Sequence, residues 1–384
     1  MGLPREGTGS VEGSHRKAGL SGRGVPAHTL FFPLAAAYAA AALPVSVAGM
    51  LGLVPALPGL GSPAAHAHEM LFGFALAAVA GNQLGPTPRA WLAALVGTWL
   101  LARATFVLAP ASVAALAANS GFALLLAWLL APRVVFAARK LRNRALPFTV
   151  VALCVTAIAA QAAFGHGSYS HRHAAMLTGL LLLSLLMLFM GGRIIAPAAA
   201  GAFYRQGGEL SARVQPRIEG GLIALMLLAA ACASLGALPA AGALATGAGL
   251  LAAVRMARWR LWALASRRDL LCLAAGYAWL AAGLVAAGIA TMRGDAATTP
   301  MHAITVGAIG TLAINVMALT CARLARRDPA RDALPAWSTL LIALATAARL
   351  AADGRPALLL FAAACWSLAW LLLLAYLART RRRG

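Results

Sequence analysis

The chain is divided into apolar runs of about 20 residues, and that spacing limits its possible folds more than any other feature. A hydrocarbon core of about 30 Å takes about 20 helical residues to cross, and lipid leaves every backbone N–H and C=O to be satisfied within the segment. Twelve runs can be drawn, centred on residues 30 to 53, 68 to 86, 90 to 108, 112 to 132, 146 to 164, 174 to 190, 220 to 236, 240 to 254, 270 to 290, 301 to 320, 335 to 352 and 356 to 377. Hydrophobic residues are 61% of the total and charged residues 11%, whereas a soluble domain is about a quarter charged. The alternating pattern of an outer-membrane barrel is absent. The expectation is an all-α, polytopic membrane bundle of about twelve helices over 29–378, with basic tails at 1–28 and 379–384.

Charge gives an independent reading. With the N-terminus placed inside, all of the 32 basic residues except Arg103, Arg172, Arg293, Arg349 and Arg355 fall in inside segments. That asymmetry is what the positive-inside rule predicts for an even number of spans with both termini cytoplasmic. The net charge of +22 therefore reports topology and contact with anionic lipid, and nucleic acid is not an expected partner. Residues 1–28 are rich in Gly, Ser and Arg and lack an apolar core, so they read as a disordered tail and not a cleaved signal. The stretch from Gly191 to Gly220 reads as a loop. The five cysteines all fall within runs and form no CxxC or CxxCH, which excludes covalent c-type haem and makes structural disulfides unexpected.

On this topology six of the eight histidines collect at the outer rim. His66 and His68 lie at the start of the second run, His166, His171 and His173 in the loop after the fifth, and His302 at the start of the tenth. Met70, Met176 and Met301 add thioethers nearby. Imidazole with thioether suits haem iron or copper and not magnesium or calcium. His66 and His68 are two residues apart, about 200° around a helix, so both can face one metal only if His66 sits in a non-helical cap. His171 and His173 share that spacing in GHGSYSHRH, where an extended loop could aim both the same way; surface histidines of this kind are also commonly just solvated.

Glu69 is the acid nearest the apolar part of a span on that side. It reads either as the acceptor that orients a ligand imidazole or as a first-turn carboxylate complementing the helix dipole. Arg103 and Arg349 stand in the outer third of their spans, where a guanidinium seeks a carboxylate or phosphate, such as a haem propionate, or snorkels to headgroups. There is also a faint internal echo. His68, Gly73 and Asn82 are matched by His302, Gly307 and Asn315, and each set is followed by a span carrying Arg103 or Arg349. Brought together, His68 and His302 would give a bis-imidazole site.

Four stretches together resemble the NnrS family: HAHEMLFG at His66 to Gly73, GGRII at Gly191 to Ile195, GYAWL at Gly276 to Leu280, and HAITVGAIGT at His302 to Thr311. The likeness covers roughly residues 28 to 378. Where the family has GRIIP this chain has Gly192-Arg193-Ile194-Ile195-Ala196-Pro197, and the segment from Asn82 to Pro88 also departs from the family pattern. The resemblance implies a bacterial inner-membrane protein that binds haem b and copper and serves nitric oxide metabolism or protection from nitrosative stress in denitrifying and related bacteria. The leading expectation from the residues places that haem near the outer rim on His68 and His302 with Arg103 and Arg349 in support, and copper at His66 with the loop histidines His171 and His173 as further candidates. Glu69, Arg193, Tyr277 and Thr305 match the family's motifs.

Nitric oxide or a nitrosyl-metal species would then be the partner, with electrons from a quinone or another membrane protein. The same ligands would serve a sensor, a scavenger or a catalyst. The competing class is a secondary transporter, or a delivery factor, for metal or haem. Transporters break helices near the midplane, whereas interruptions such as Gly85-Pro86 fall at span ends.

Overall fold

The computed structural model describes residues 24–135 and 141–381. Most of the expected tail at 1–28 lies outside the described residues, as do Arg139, Lys140 and the end of the C-terminal tail. The helices are α1 (His28–Met50), α2 (Pro63–His68), α3 (Leu76–Gln83), α4 (Arg89–Leu108), α5 (Val113–Val135), α6 (Leu141–Gly165), α7 (Tyr169–Met190), α8 (Ala196–Arg205), α9 (Pro216–Ser234), α10 (Leu238–Arg258), α11 (Arg268–Arg293), α12 (Thr298–His302), α13 (Ile309–Leu324), α14 (Ala333–Leu350) and α15 (Pro356–Arg381). Residues Val25–Pro26 and Pro86–Thr87 make a two-residue antiparallel bridge beside the start of α1.

Three pairs of these helices are continuous. A π-helical turn at Glu69–Ala75 joins α2 to α3, one at Gly191–Ile195 joins α7 to α8, and one at Ala303–Ala308 joins α12 to α13. Among the described residues eleven helices are long and apolar enough to cross a membrane. The helix over residues 63–83 is the remaining expected span. Its His66, His68, Glu69, Asn82 and Gln83 dilute its hydropathy, yet every residue from Leu71 to Ala77 is buried.

Two expectations are corrected. The stretch from Gly191 to Gly220 is not a single loop: the sixth span runs on through the π turn to Arg205, 37 residues in all, because the Ala-rich segment after Ile195 is a good helix former. The eighth run, short in the sequence reading, is a full 21-residue helix, α10.

Burial orders the bundle. In Tyr169–Arg205 and Thr298–Leu324 the apolar window is 78% buried, against 28–56% in the other nine spans. Neighbours in sequence pack side by side, and α15 closes the ring against α1. Leu100, Leu101, Trp128, Val155, Leu250 and Leu371 on the outer helices remain exposed, as a lipid-facing surface requires. The three inner spans are the second, sixth and tenth, so the chain reads as three four-span units, each sending its second span to the centre. All three π turns lie on these inner spans.

Candidate functional site

A cavity of about 430 Å³ lies at the N-terminal end of the inner helices. The second span contributes His66 and Met70 to its wall, the sixth His173 and Met176, and the tenth Met301, His302 and Thr305; α14 adds Arg349. The remaining wall is largely apolar and includes Phe74 and Trp366.

Local capping decides which histidines arrive there. The Ser62 side chain accepts from the Ala65 N–H at 3.2 Å and Pro63 takes the first helical position, so α2 starts early enough to make His66 helical. His66 and His68 therefore point to different sides, and the shared site that a non-helical His66 would have allowed is not formed. Ser168 likewise caps α7. The segment expected to be an extended loop is helical, and both of its histidines are exposed: His171 lies 2.7 Å from the Ser168 hydroxyl, while His173 stacks on Tyr169 and borders the cavity. His166 is also exposed, its Nδ1 donating to the Ala162 carbonyl at 2.8 Å.

The cavity histidines are chemically distinct. His302 Nδ1 lies 2.7 Å from the Thr298 carbonyl oxygen. A carbonyl only accepts, so Nδ1 carries the proton and Nε2 carries the lone pair, the arrangement a ligating imidazole needs. His66 Nδ1 is buried and has no hydrogen-bond partner. Arg349 stands within electrostatic reach of both rings. No described acid pairs with its guanidinium.

His68 occupies a separate, sealed place. Its ring stacks on Phe106 with centroids 4.1 Å apart and planes 10° apart, and Phe72 and Phe164 meet it edge-on. Nδ1 is 3.3 Å from Glu69 Oε1, while Nε2 is buried and unpartnered. Glu69 also accepts from Arg103 and from the Tyr38 hydroxyl, and Arg103 donates to the Asn119 side-chain oxygen. A Cβ on Gly73 would stand 2.5 Å from Arg103 Nη1, so the glycine gives the guanidinium its place; the Trp99 indole donates to the Gly73 carbonyl at 2.9 Å. The network locks the first π turn to α4 and α5.

The structure thus brings together His66, His173, His302, Thr305 and Arg349, and it separates His68, Glu69 and Arg103 from them. The pair facing the cavity is His66 and His302, not His68 and His302. Arg103 is occupied by Glu69 and Asn119, so of the two unusual cations Arg349 alone faces the cavity. Arg193 and Tyr277 lie elsewhere, at the far end of the sixth span. Tyr38 and Asn119 escaped the sequence reading, although a polar side chain inside an apolar run was signal enough to flag them.

No curated protein and no solved structure matches the chain. The family profile described as NnrS protein matches residues 26–383, nearly the whole chain and every helix from α1 to α15. The chain belongs to the NnrS family.

Proposed function

We propose that this is an inner-membrane haem protein of the nitric oxide response, with both termini cytoplasmic and its haem held in the cavity between His66 and His302. The observation that carries the reading is the pairing, in one apolar chamber, of an imidazole whose tautomer is set for ligation, a buried ring nitrogen without a partner, and a guanidinium without a carboxylate. Haem needs one or two axial ligands, apolar walls and cations for its propionates, and these residues supply all three. Copper is served less well. Met70, Met176 and Met301 beside His66 and His173 suit a soft cuprous ion, but no three His, Cys, Asp or Glu side chains gather to hold a metal among the described residues.

When bound, haem would supply a one-electron couple and, with only one of the two imidazoles engaged, a position for a diatomic ligand. His302 holds its proton on Nδ1 and presents Nε2, Arg349 offsets negative charge at the rim, and Phe74, Trp366 and the thioethers keep water away from the chamber. The test is the visible spectrum, with iron analysis, of protein purified from haem-replete cells, beside His66→Ala, His302→Ala and His68→Leu. A Soret band lost in His302→Ala, lost or shifted in His66→Ala and kept in His68→Leu is the expected result. A colourless, iron-free wild type would overturn the proposal.

A further inference from the structure

The histidine chamber takes up only one end of the inner helices, and the residues that line it belong to stripes that continue past it. On the second span His66, Met70 and Phe74 line the chamber, and Ala78 and Asn82 carry on at the same spacing. On the sixth, His173, Leu177 and Leu180 are followed by Leu183, Met187 and Met190. On the tenth, His302, Val306 and Ile309 are followed by Leu312 and Val316. Steps of three and four keep side chains on one face of a helix. Each inner span therefore turns one unbroken face to the bundle axis, from its histidine to a point about 25 Å further on.

The far halves of these faces line a second cavity, of about 100 Å³. Ile309, 8% exposed, borders both spaces and is the one described residue that does. Phe74 of the chamber and Ala75 of the second cavity are neighbours in the chain, so the two spaces meet end to end at this level. The second cavity has an apolar wall. Its polar residues are Asn82 and Gln83, at the far end, where the Gln83 amide donates to the Asn82 side-chain oxygen at 2.9 Å. No charged side chain lines it among the described residues. An ion placed there would lose its hydration with nothing in return, whereas an apolar cavity of ~150 Å³ takes xenon or benzene. The volume here suits a smaller, uncharged guest.

We infer that this second cavity is a binding site for a diatomic gas, and that Ile309 is the constriction through which the gas passes between it and the histidine chamber. What the gas does on arrival rests on the haem reading above; the site itself does not. Such a route would give the chamber an entrance from the end opposite the exposed His173, open to neutral molecules and closed to inorganic anions. A β-branched side chain in a helix is held to one preferred χ1 rotamer, so truncating Ile309 is a direct way to widen the junction.

The first readout is the anomalous scattering of xenon in pressurised crystals of the full chain, which needs no pigment. The wild type is expected to hold xenon in the second cavity. Ala78→Leu and Ala313→Leu, which fill it from the second and tenth spans, are expected to lose that density, and Ile309→Ala to extend it into the chamber. The second readout is carbon monoxide association with the ferrous, haem-loaded protein after flash photolysis. It is expected to be several-fold slower in both leucine variants and several-fold faster in Ile309→Ala, with the Soret band unmoved. Absence of xenon from the wild-type cavity would overturn the site. Xenon still confined to it in Ile309→Ala, or carbon monoxide rates matching the wild type in all three variants, would overturn the passage. A wild type without a Soret band would sink the haem reading alone, since the xenon maps of the wild type and Ile309→Ala decide the cavity and its junction by themselves.

Discussion

The hydroxyl of Ser367 in α15 donates to the carbonyl of Ala40 in α1 at 2.9 Å. An α-helix would give that carbonyl the N–H of residue 44, and residue 44 is proline, which has none. The last span thus repairs the hydrogen-bonding gap that Pro44 opens in the first, and the Trp366 indole adds a bond to the Ala39 carbonyl at 2.9 Å. Ser367→Ala is expected to cost about 1 to 2 kcal/mol, read as a lowered Tm in detergent. A Pro44→Ala partner change should abolish most of that cost, since the carbonyl regains its helical donor.

Removing one member of the buried Glu69–Arg103 pair leaves an uncompensated charge. Arg103→Gln and Glu69→Gln are each expected to destabilise the protein by about 3 to 5 kcal/mol, and the double variant by less than either single one. A double-mutant cycle on thermal or denaturant unfolding checks the sign of the coupling.

Arg349 should behave in the opposite way. Its guanidinium meets no described acid, so Arg349→Gln is expected to leave Tm nearly unchanged and to lower the ratio of haem to protein after purification. A loss of stability comparable to that of Arg103→Gln would show that Arg349 serves the fold instead.

His68 sits among three phenylalanines, and a phenylalanine in its place keeps the stacking on Phe106 while losing the contact with Glu69. His68→Phe is expected to cost about 1 to 2 kcal/mol and to leave the visible spectrum as in the wild type. His66→Phe should change the spectrum at little cost in Tm.

Gly73 makes room for Arg103. Gly73→Ala is expected to cost about 1 to 3 kcal/mol through overpacking, although alanine is the better helix former. A Tm at or above the wild-type value would mean that the guanidinium has another place to go.

Most of the architecture was legible because lipid turns length and apolarity into helices almost without alternatives: the runs at 90 to 108 and 356 to 377 match α4 and α15 to within a few residues. The continuation past Gly191 was hidden because two glycines and an arginine read as a stop, while the bundle uses them as a π turn against Tyr277 and Trp259. The site was half legible. Residue type and depth picked out His66, His302, His173 and Arg349. They could not say which of two neighbouring histidines looks inward, since that depends on Ser62 starting α2 four residues ahead of His66. Arg103 and Arg349 look alike in sequence, and their difference comes from a carboxylate on another helix.

The π turns carry a consequence for lineage. Each accommodates one residue more than the same length of α-helix, so each marks a place where a single insertion or deletion alters register by about 100° while leaving the rest of the span intact. A one-residue deletion between Ala303 and Ala308 would re-aim His302 and Met301 relative to everything after Ile309. Within such a scaffold, a change in chain length is as direct a way to open or close the histidine chamber as a change of side chain.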